Sequence, residues 1–157
     1  MNIRQQLICV MTFAVALTGC SQSDSSAQVS VQATDNDAPI LTVFTEQAPE
    51  TQLMALILSK AAADQGSPVQ ILLCDKGGDL ALKSPPTLSQ QPLAPKNMSP
   101  AGLLSKLINS GVKVDVCAIY LPNRTFGEDA LLDGVGVATP PEIAGYFTQV
   151  ETKVLSF

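Results

Sequence analysis

The sequence predicts a three-layer α/β domain in which a mostly parallel, five-stranded sheet carries helices on both faces. Short runs of β-branched and aliphatic residues alternate with stretches whose apolar residues recur at helical spacing. Proline stands where the helical stretches begin, and glycine follows two of them. Alternating strands and helices are typical of a parallel sheet, because each parallel pair needs a long crossover connection.

The elements can be assigned in order along the chain. The predicted strands are Ile40–Phe44, Val69–Cys74, Lys113–Ile119, Val135–Ala138 and Lys153–Phe157. The three main helices are expected to begin at Pro49, Pro100 and Pro140, since proline needs no N–H donor there. A long Pro-rich loop, residues 84–97, has the length of a lid or binding loop.

The helical spacing also predicts which side chains face the core. In the first helix these include Met54, Ile57 and Leu58, and in the last helix Phe147 and Val150. Thr139 and Glu142 have the spacing of a capping box at the start of the last helix.

The strand order is expected to be 2-1-3-4-5, the flavodoxin-like order. Right-handed crossovers leave few orders for five parallel strands, and this one is common. It puts the first strand between the second and the third. The chain then reverses direction between the first and third strands, at the carboxyl edge where open α/β sheets bind ligands.

Four residues with functional chemistry are expected at that edge. Cys117 ends the third strand, Cys74 ends the second, and Glu46 follows the first. Arg124 follows Cys117 closely enough to fold back over the edge. A guanidinium there would lower the thiol pKa and bind an anionic sulfur species, whereas the Glu46 carboxylate would raise the thiol pKa.

The expected strand order separates the two cysteines. Two strand steps put their Cα atoms roughly 9–10 Å apart, at about 4.8 Å per step. A direct disulfide between Cys74 and Cys117 is therefore disfavoured, because it needs a Cα separation below about 7 Å. Two interpretations stay open for the thiols: a reversible pair in which one attacks and one resolves, or two packed, inert side chains.

Composition excludes several kinds of chemistry. The chain has no His, which removes Ser-His-Asp and Cys-His catalysis and His-containing metal sites. Its net charge of -5 argues against a nucleic-acid surface. Cys74, Asp75 and Asp79 have no recognised metal-ligand spacing. We therefore expect no metal, no cofactor and no nucleic-acid partner.

The start of the chain is typical of a bacterial lipoprotein. Residues 1–19 read as a signal peptide, with Arg4 before a short apolar run that is too short to span a bilayer. Leu17–Cys20 resembles a lipobox, which predicts Cys20 as the lipidated, membrane-bound residue. Residues 20–37 then form a polar tether, and 38–157 the folded domain. We expect a location in the cell envelope, on the outer membrane facing the periplasm.

Three further stretches carry a family resemblance. They are Met98–Leu104, Ile108–Cys117 and Leu132–Val135, and the final residues Val154–Phe157 add to them. With them, residues 40–157 resemble the DsrE-type family of small sulfur-relay proteins. The resemblance implies that Cys117 carries persulfide sulfur, that Arg124 corresponds to a family arginine, and that the chain forms homo-oligomers with the cysteine edge accessible.

Two functions are compatible with these observations. The first is a membrane-anchored periplasmic DsrE-like protein that handles persulfide sulfur or redox equivalents through Cys117, with small sulfur species as partners. The alternative is a non-enzymatic binding or assembly module on the outer membrane whose thiols are packed and inert. Whether the chain is an enzyme stays open, and the accessibility of the Cys117 thiol separates the two functions.

Overall fold

A computed structural model describes residues 38–157, so the predicted signal peptide, Cys20 and the whole predicted tether lie outside the described residues. The strands are β1 (Ile40–Phe44), β2 (Val69–Leu73), β3 (Lys113–Cys117), β4 (Val135–Ala138) and β5 (Lys153–Ser156). The helices are α1 (Pro49–Asp64), α2 (Thr87–Gln90), α3 (Pro100–Asn109) and α4 (Pro140–Thr148). Within this part of the chain, no helix combines the length and apolar character needed to cross a membrane.

The five strands form one parallel sheet, which confirms the predicted α/β fold class. The strand order differs from 2-1-3-4-5: it is β4-β3-β2-β1-β5. The expected order puts β1 between β2 and β3, whereas in the structure β2 lies between β1 and β3, and β1 lies between β2 and β5. The chain therefore adds its first four strands in one direction and reverses only once, between β4 and β5.

The helices lie on both faces because of that single reversal. A right-handed crossover places its helix on one face when the chain moves in one direction, and on the other face when the direction reverses. Accordingly α1 and α3 pack together over one face of the sheet. Residues Ile143 and Tyr146 of α4 pack on the opposite face, against Leu41, Leu72 and Ala138.

The main core lies between the sheet and the α1/α3 layer. It contains Leu53 and Leu56 of α1, together with Ile71 and Val114 of the central strands. Met54, Ile57 and Leu58 are instead exposed, so their assignment to the core is wrong. The run from Leu53 to Leu58 is wholly apolar, and helical spacing therefore cannot identify its inner face.

The α4 face of the sheet is less completely covered. No residue of α4 is fully buried. Phe147 is 62% exposed and Val150 is 100% exposed, so the prediction that both face the core is wrong. Every residue of β5, at one edge of the sheet, is also exposed.

The segment predicted as a free loop, residues 84–97, is partly ordered into secondary structure. It contains α2, and Leu93 forms an antiparallel bridge with Met98. Ser89 donates a buried hydrogen bond of 2.9 Å to the side-chain oxygen of Gln52 in α1. These contacts fix the segment against the helical layer, and it is not a detached lid.

Candidate functional site

Cys74 and Cys117 form a disulfide at the carboxyl edge of the sheet. Leu73 of β2 lies level with Val116 of β3, so the next residue on each strand is a cysteine. Their Cα atoms are 5.2 Å apart. The expected wider separation, and the argument against a direct disulfide, are wrong because β2 and β3 are neighbours in the sheet.

The turn after Cys74 is held against the end of β1. The Cys74 amide donates to the Phe44 carbonyl at 2.7 Å, and the Gly77 amide to the Thr45 carbonyl at 3.2 Å. Asp75 adopts a left-handed conformation, with φ of 45°, which aspartate tolerates better than most residues. Gly77 has no room for a Cβ, which would lie against the Phe44 backbone. Cys74 is therefore fixed in position by main-chain contacts.

Cys117 lines a cavity of about 200 Å³ on the α4 face of the sheet. Its walls are almost wholly apolar, and the Ile119 side chain at its rim is 73% exposed. The other main wall residues are Leu72, Ala138, Thr139, Pro140 and Ile143. Cys74 is not among the lining residues. Of the two sulfur-bearing residues, Cys117 is therefore the one that meets this cavity.

The cavity lies between β3 and β4, two neighbouring strands whose following connections pass over opposite faces of the sheet. The chain after β3 passes over the α1/α3 face, where Tyr120 and Leu131 join the main core. The chain after β4 enters α4 on the other face. Such a divergence is the switch point at which open α/β sheets bind ligands. It lies between β3 and β4, and the expectation of a switch point between the first and third strands is wrong.

The first turn of α4 offers few groups for an anion. Pro140 and Pro141 occupy its first two positions and have no N–H. Thr139 makes no side-chain capping hydrogen bond, so the predicted capping interaction of its hydroxyl is not present. Glu142 instead pairs with Lys113 of β3. That hydrogen bond lowers the pKa of Glu142 and raises the pKa of Lys113.

Arg124 folds back towards the residues that follow Cys74. Its guanidinium donates to the Asp75 carbonyl at 3.0 Å and lies 4.5 Å from the centre of the Tyr120 ring. It is also within 3.7 Å of the Asp79 carboxylate. In the described part of the chain, none of its polar contacts is with Cys117.

Tyr120 and Asp79 complete a polar cluster that the sequence did not reveal. The Tyr120 hydroxyl donates to Asp79 at 2.8 Å. Burial raises the pKa of Tyr120, and the hydrogen bond to Asp79 raises it further. Gly78 lies against the Tyr120 ring, where a Cβ would have no space. The cluster locks the turn after Cys74 to the turn after Cys117.

Glu46 lies in an exposed position just after β1. Because β2 separates β1 from β3, Glu46 follows a strand adjacent to that of Cys74 but two strands from that of Cys117. Its main-chain carbonyl accepts a hydrogen bond of 3.0 Å from the Gln52 side chain. Across residues 38–157, no three His, Cys, Asp or Glu side chains are grouped so that they could hold a metal ion.

Comparisons with known proteins identify the family. The DsrE/DsrF-like family model matches residues 39–157. The YchN protein of E. coli has a similar structure, with a TM-score of 0.61 and 20% identity over 77% of this chain and 99% of its own. A protein of unknown function from Methanobacterium thermoautotrophicum has a TM-score of 0.58 and 19% identity, over 77% of this chain and 100% of its own. None of the curated proteins compared matches this chain.

Both solved chains are matched over essentially their whole length. The matched part of this chain therefore shares the overall fold of both solved chains. Since the family match spans most of the sequence and nearly all of the described residues, the chain belongs to the DsrE/DsrF-like family.

Proposed function

We propose that this protein handles persulfide sulfur or redox equivalents by reversible thiol–disulfide chemistry at Cys74 and Cys117, with Cys117 as the exchanging residue. The observation that carries the proposal is the disulfide at the carboxyl edge, whose Cys117 lines an open cavity at the switch point. Family membership supports it, since the DsrE-type resemblance implies sulfur chemistry at the cysteine after the third strand.

The geometry supports different roles for the two cysteines. Cys74 is fixed by its amide hydrogen bond to β1 and by the turn that follows it. Both cysteines are half-buried, but only Cys117 lines the cavity. An incoming thiolate therefore reaches Cys117, and Cys74 acts as the leaving and resolving thiol.

The competing function is a non-enzymatic binding or assembly module. One observation favours it: the disulfide joins residues 43 positions apart and can serve as a permanent cross-link. In that case the bond would have a low reduction potential and would resist glutathione, as structural disulfides in secreted proteins do.

A redox titration of the full-length chain separates these functions. The chain is equilibrated in glutathione buffers, alkylated, and scored by the masses of the Cys74 and Cys117 peptides. We expect a midpoint above about -300 mV, the level below which structural disulfides typically fall. A bond that stays oxidised throughout the series would refute the proposed exchange.

Single substitutions provide a matched control for the roles of the two thiols. In Cys74→Ser the remaining Cys117 thiol should be alkylated rapidly in the folded protein. In Cys117→Ser the remaining Cys74 thiol should react more slowly, because it does not line the cavity. Equal rates in the two variants, or a faster Cys74, would contradict the assignment of Cys117 as the exchanging residue.

We also propose that the protein is anchored through lipid on Cys20 and works on the outer membrane, facing the periplasm. The support is the order of charge, apolar run and lipobox-like residues 17–20 in the sequence. Labelling cells with a palmitate analogue tests the anchor. We expect label on the wild-type chain and none on Cys20→Ala, with the wild type in the outer-membrane fraction; label on both chains would overturn the assignment.

A further inference from the structure

We propose that the cavity beside Cys117 selects an uncharged, apolar thiol and its disulfide, and that it discriminates against anionic sulfur compounds. The inference rests on the proposed exchange at Cys117 and adds the chemical class of molecule that takes part. Three features carry it: the walls of the cavity, the first turn of α4, and the place where Arg124 is held.

The walls match an aliphatic or aromatic group attached to sulfur. Leu72, Ala138, Pro140 and Ile143 present hydrocarbon to the cavity, and none of the described residues that line it is charged. A group buried there gains free energy in proportion to the apolar area it removes from water. A carboxylate or sulfonate in the same place would lose its hydration without gaining an ion pair.

The first turn of α4 does not compensate for the lost hydration of an anion either. Helix N-termini bind anions through free N–H groups, but Pro140 and Pro141 remove two of them. The acidic Glu142 occupies the third position of the helix. The helix start beside this cavity is therefore a poor anion site.

Arg124 is engaged elsewhere. Its guanidinium is held by the Asp75 carbonyl, the Asp79 carboxylate and the Tyr120 ring. Those contacts belong to the turn that packs on the α1/α3 face, whereas the cavity opens on the α4 face. A molecule in the cavity thus meets hydrocarbon walls and Cys117.

The exchange can be written with the disulfide as the oxidant. The thiolate of the apolar compound attacks Sγ of Cys117 and forms a mixed disulfide with it. The Sγ–Sγ bond breaks, and Cys74 leaves as a thiolate that takes up a proton. A second apolar thiolate attacks the bound alkyl sulfur and releases Cys117 as a thiolate. Two thiols are then oxidised to one disulfide, and the Cys74–Cys117 bond is reduced.

The test compares two thiols of equal size and opposite character, isopentyl thiol and mercaptopropionate. Each is offered at the same thiolate concentration to the oxidised full-length chain, and adducts on Cys74 and Cys117 are counted by peptide mass spectrometry. We expect isopentyl thiol to react about tenfold faster, as burial of about two methylene groups predicts. Equal rates, or faster reaction with mercaptopropionate, would overturn the inference while leaving the proposed exchange intact.

Two matched variants test whether this cavity is the source of the selectivity between the two thiols. Ile119→Lys puts a cation at the exposed rim of the cavity, and Ile57→Lys makes the same change on α1, on the other face of the sheet. We expect only Ile119→Lys to speed the reaction with mercaptopropionate. An equal effect of both variants would show that overall charge, and not this cavity, sets the preference. If neither thiol reacts in any variant, the proposed exchange itself fails.

Discussion

Removing the disulfide should destabilise the domain by an amount that the structure allows us to calculate. The bond joins Cys74 to Cys117 across 43 sequence positions. In the chain-entropy treatment, a cross-link closing a loop of this length lowers the entropy of the unfolded chain enough to stabilise the fold by about 4 kcal/mol. With a urea m-value of about 2 kcal/mol per molar, the unfolding midpoint should fall by about 2 M on reduction.

The assay is urea unfolding of residues 38–157, with and without a reductant, followed by circular dichroism. The control is the double variant Cys74→Ser, Cys117→Ser, whose midpoint should match that of the reduced wild type and be insensitive to the reductant. A midpoint that moves by less than about 0.5 M on reduction would refute the reasoning. It would mean that the reduced unfolded chain is already restricted, or that the native bond is strained by an equal amount.

Three other outcomes are expected. Gly78→Ala should lower the free energy of unfolding by about 1–3 kcal/mol, because the new Cβ meets the buried Tyr120 ring; chemical denaturation measures this. Glu142→Gln should make the stability of the fold fall less steeply in acid. Because the folded-state pKa of Glu142 is lowered, its ionised carboxylate stabilises the fold above about pH 4.5, the ordinary pKa of glutamate. That stabilisation is lost as the pH falls through the folded-state pKa, and the variant lacks it. Light scattering should show a homo-oligomer that Leu155→Lys weakens, because β5 is an exposed edge strand that pairs with β1 on one side only; a wild-type monomer would contradict this.

The fold class could be predicted because it depends on local signals. Strands rich in β-branched residues alternate with helices that start at proline, and each signal lies within a few residues. The strand order depends on which strand each helix returns to, and neither α1 nor α3 carries a local signal for that. Sequence reasoning therefore placed β1 beside β3, which separated Cys74 from Cys117.

The position of Cys117 at the carboxyl edge could be predicted from the sequence, but the residues that surround it could not. Cys117 was assigned to the carboxyl edge from the end of its strand alone, and the structure places it there. Its partner and its cavity come from residues distant in sequence, including Thr139 and Ile143. Pro140 and Pro141, which open the helix that follows β4, were a usable sequence signal that this cavity binds anions poorly, since two prolines remove N–H groups that bind anions.

The scarcity of buried residues in α4 bears on the kinetics of the site. A helix without a fully buried residue can detach at a lower free energy than the whole domain unfolds. Because α4 forms one wall of the cavity, its detachment would expose Cys117 to molecules too large to enter the cavity while α4 is in place. Large thiols should then react at a rate that levels off at high concentration, where opening of the helix becomes the limiting step. Amide hydrogens of α4 should also exchange faster than those of α1 and α3.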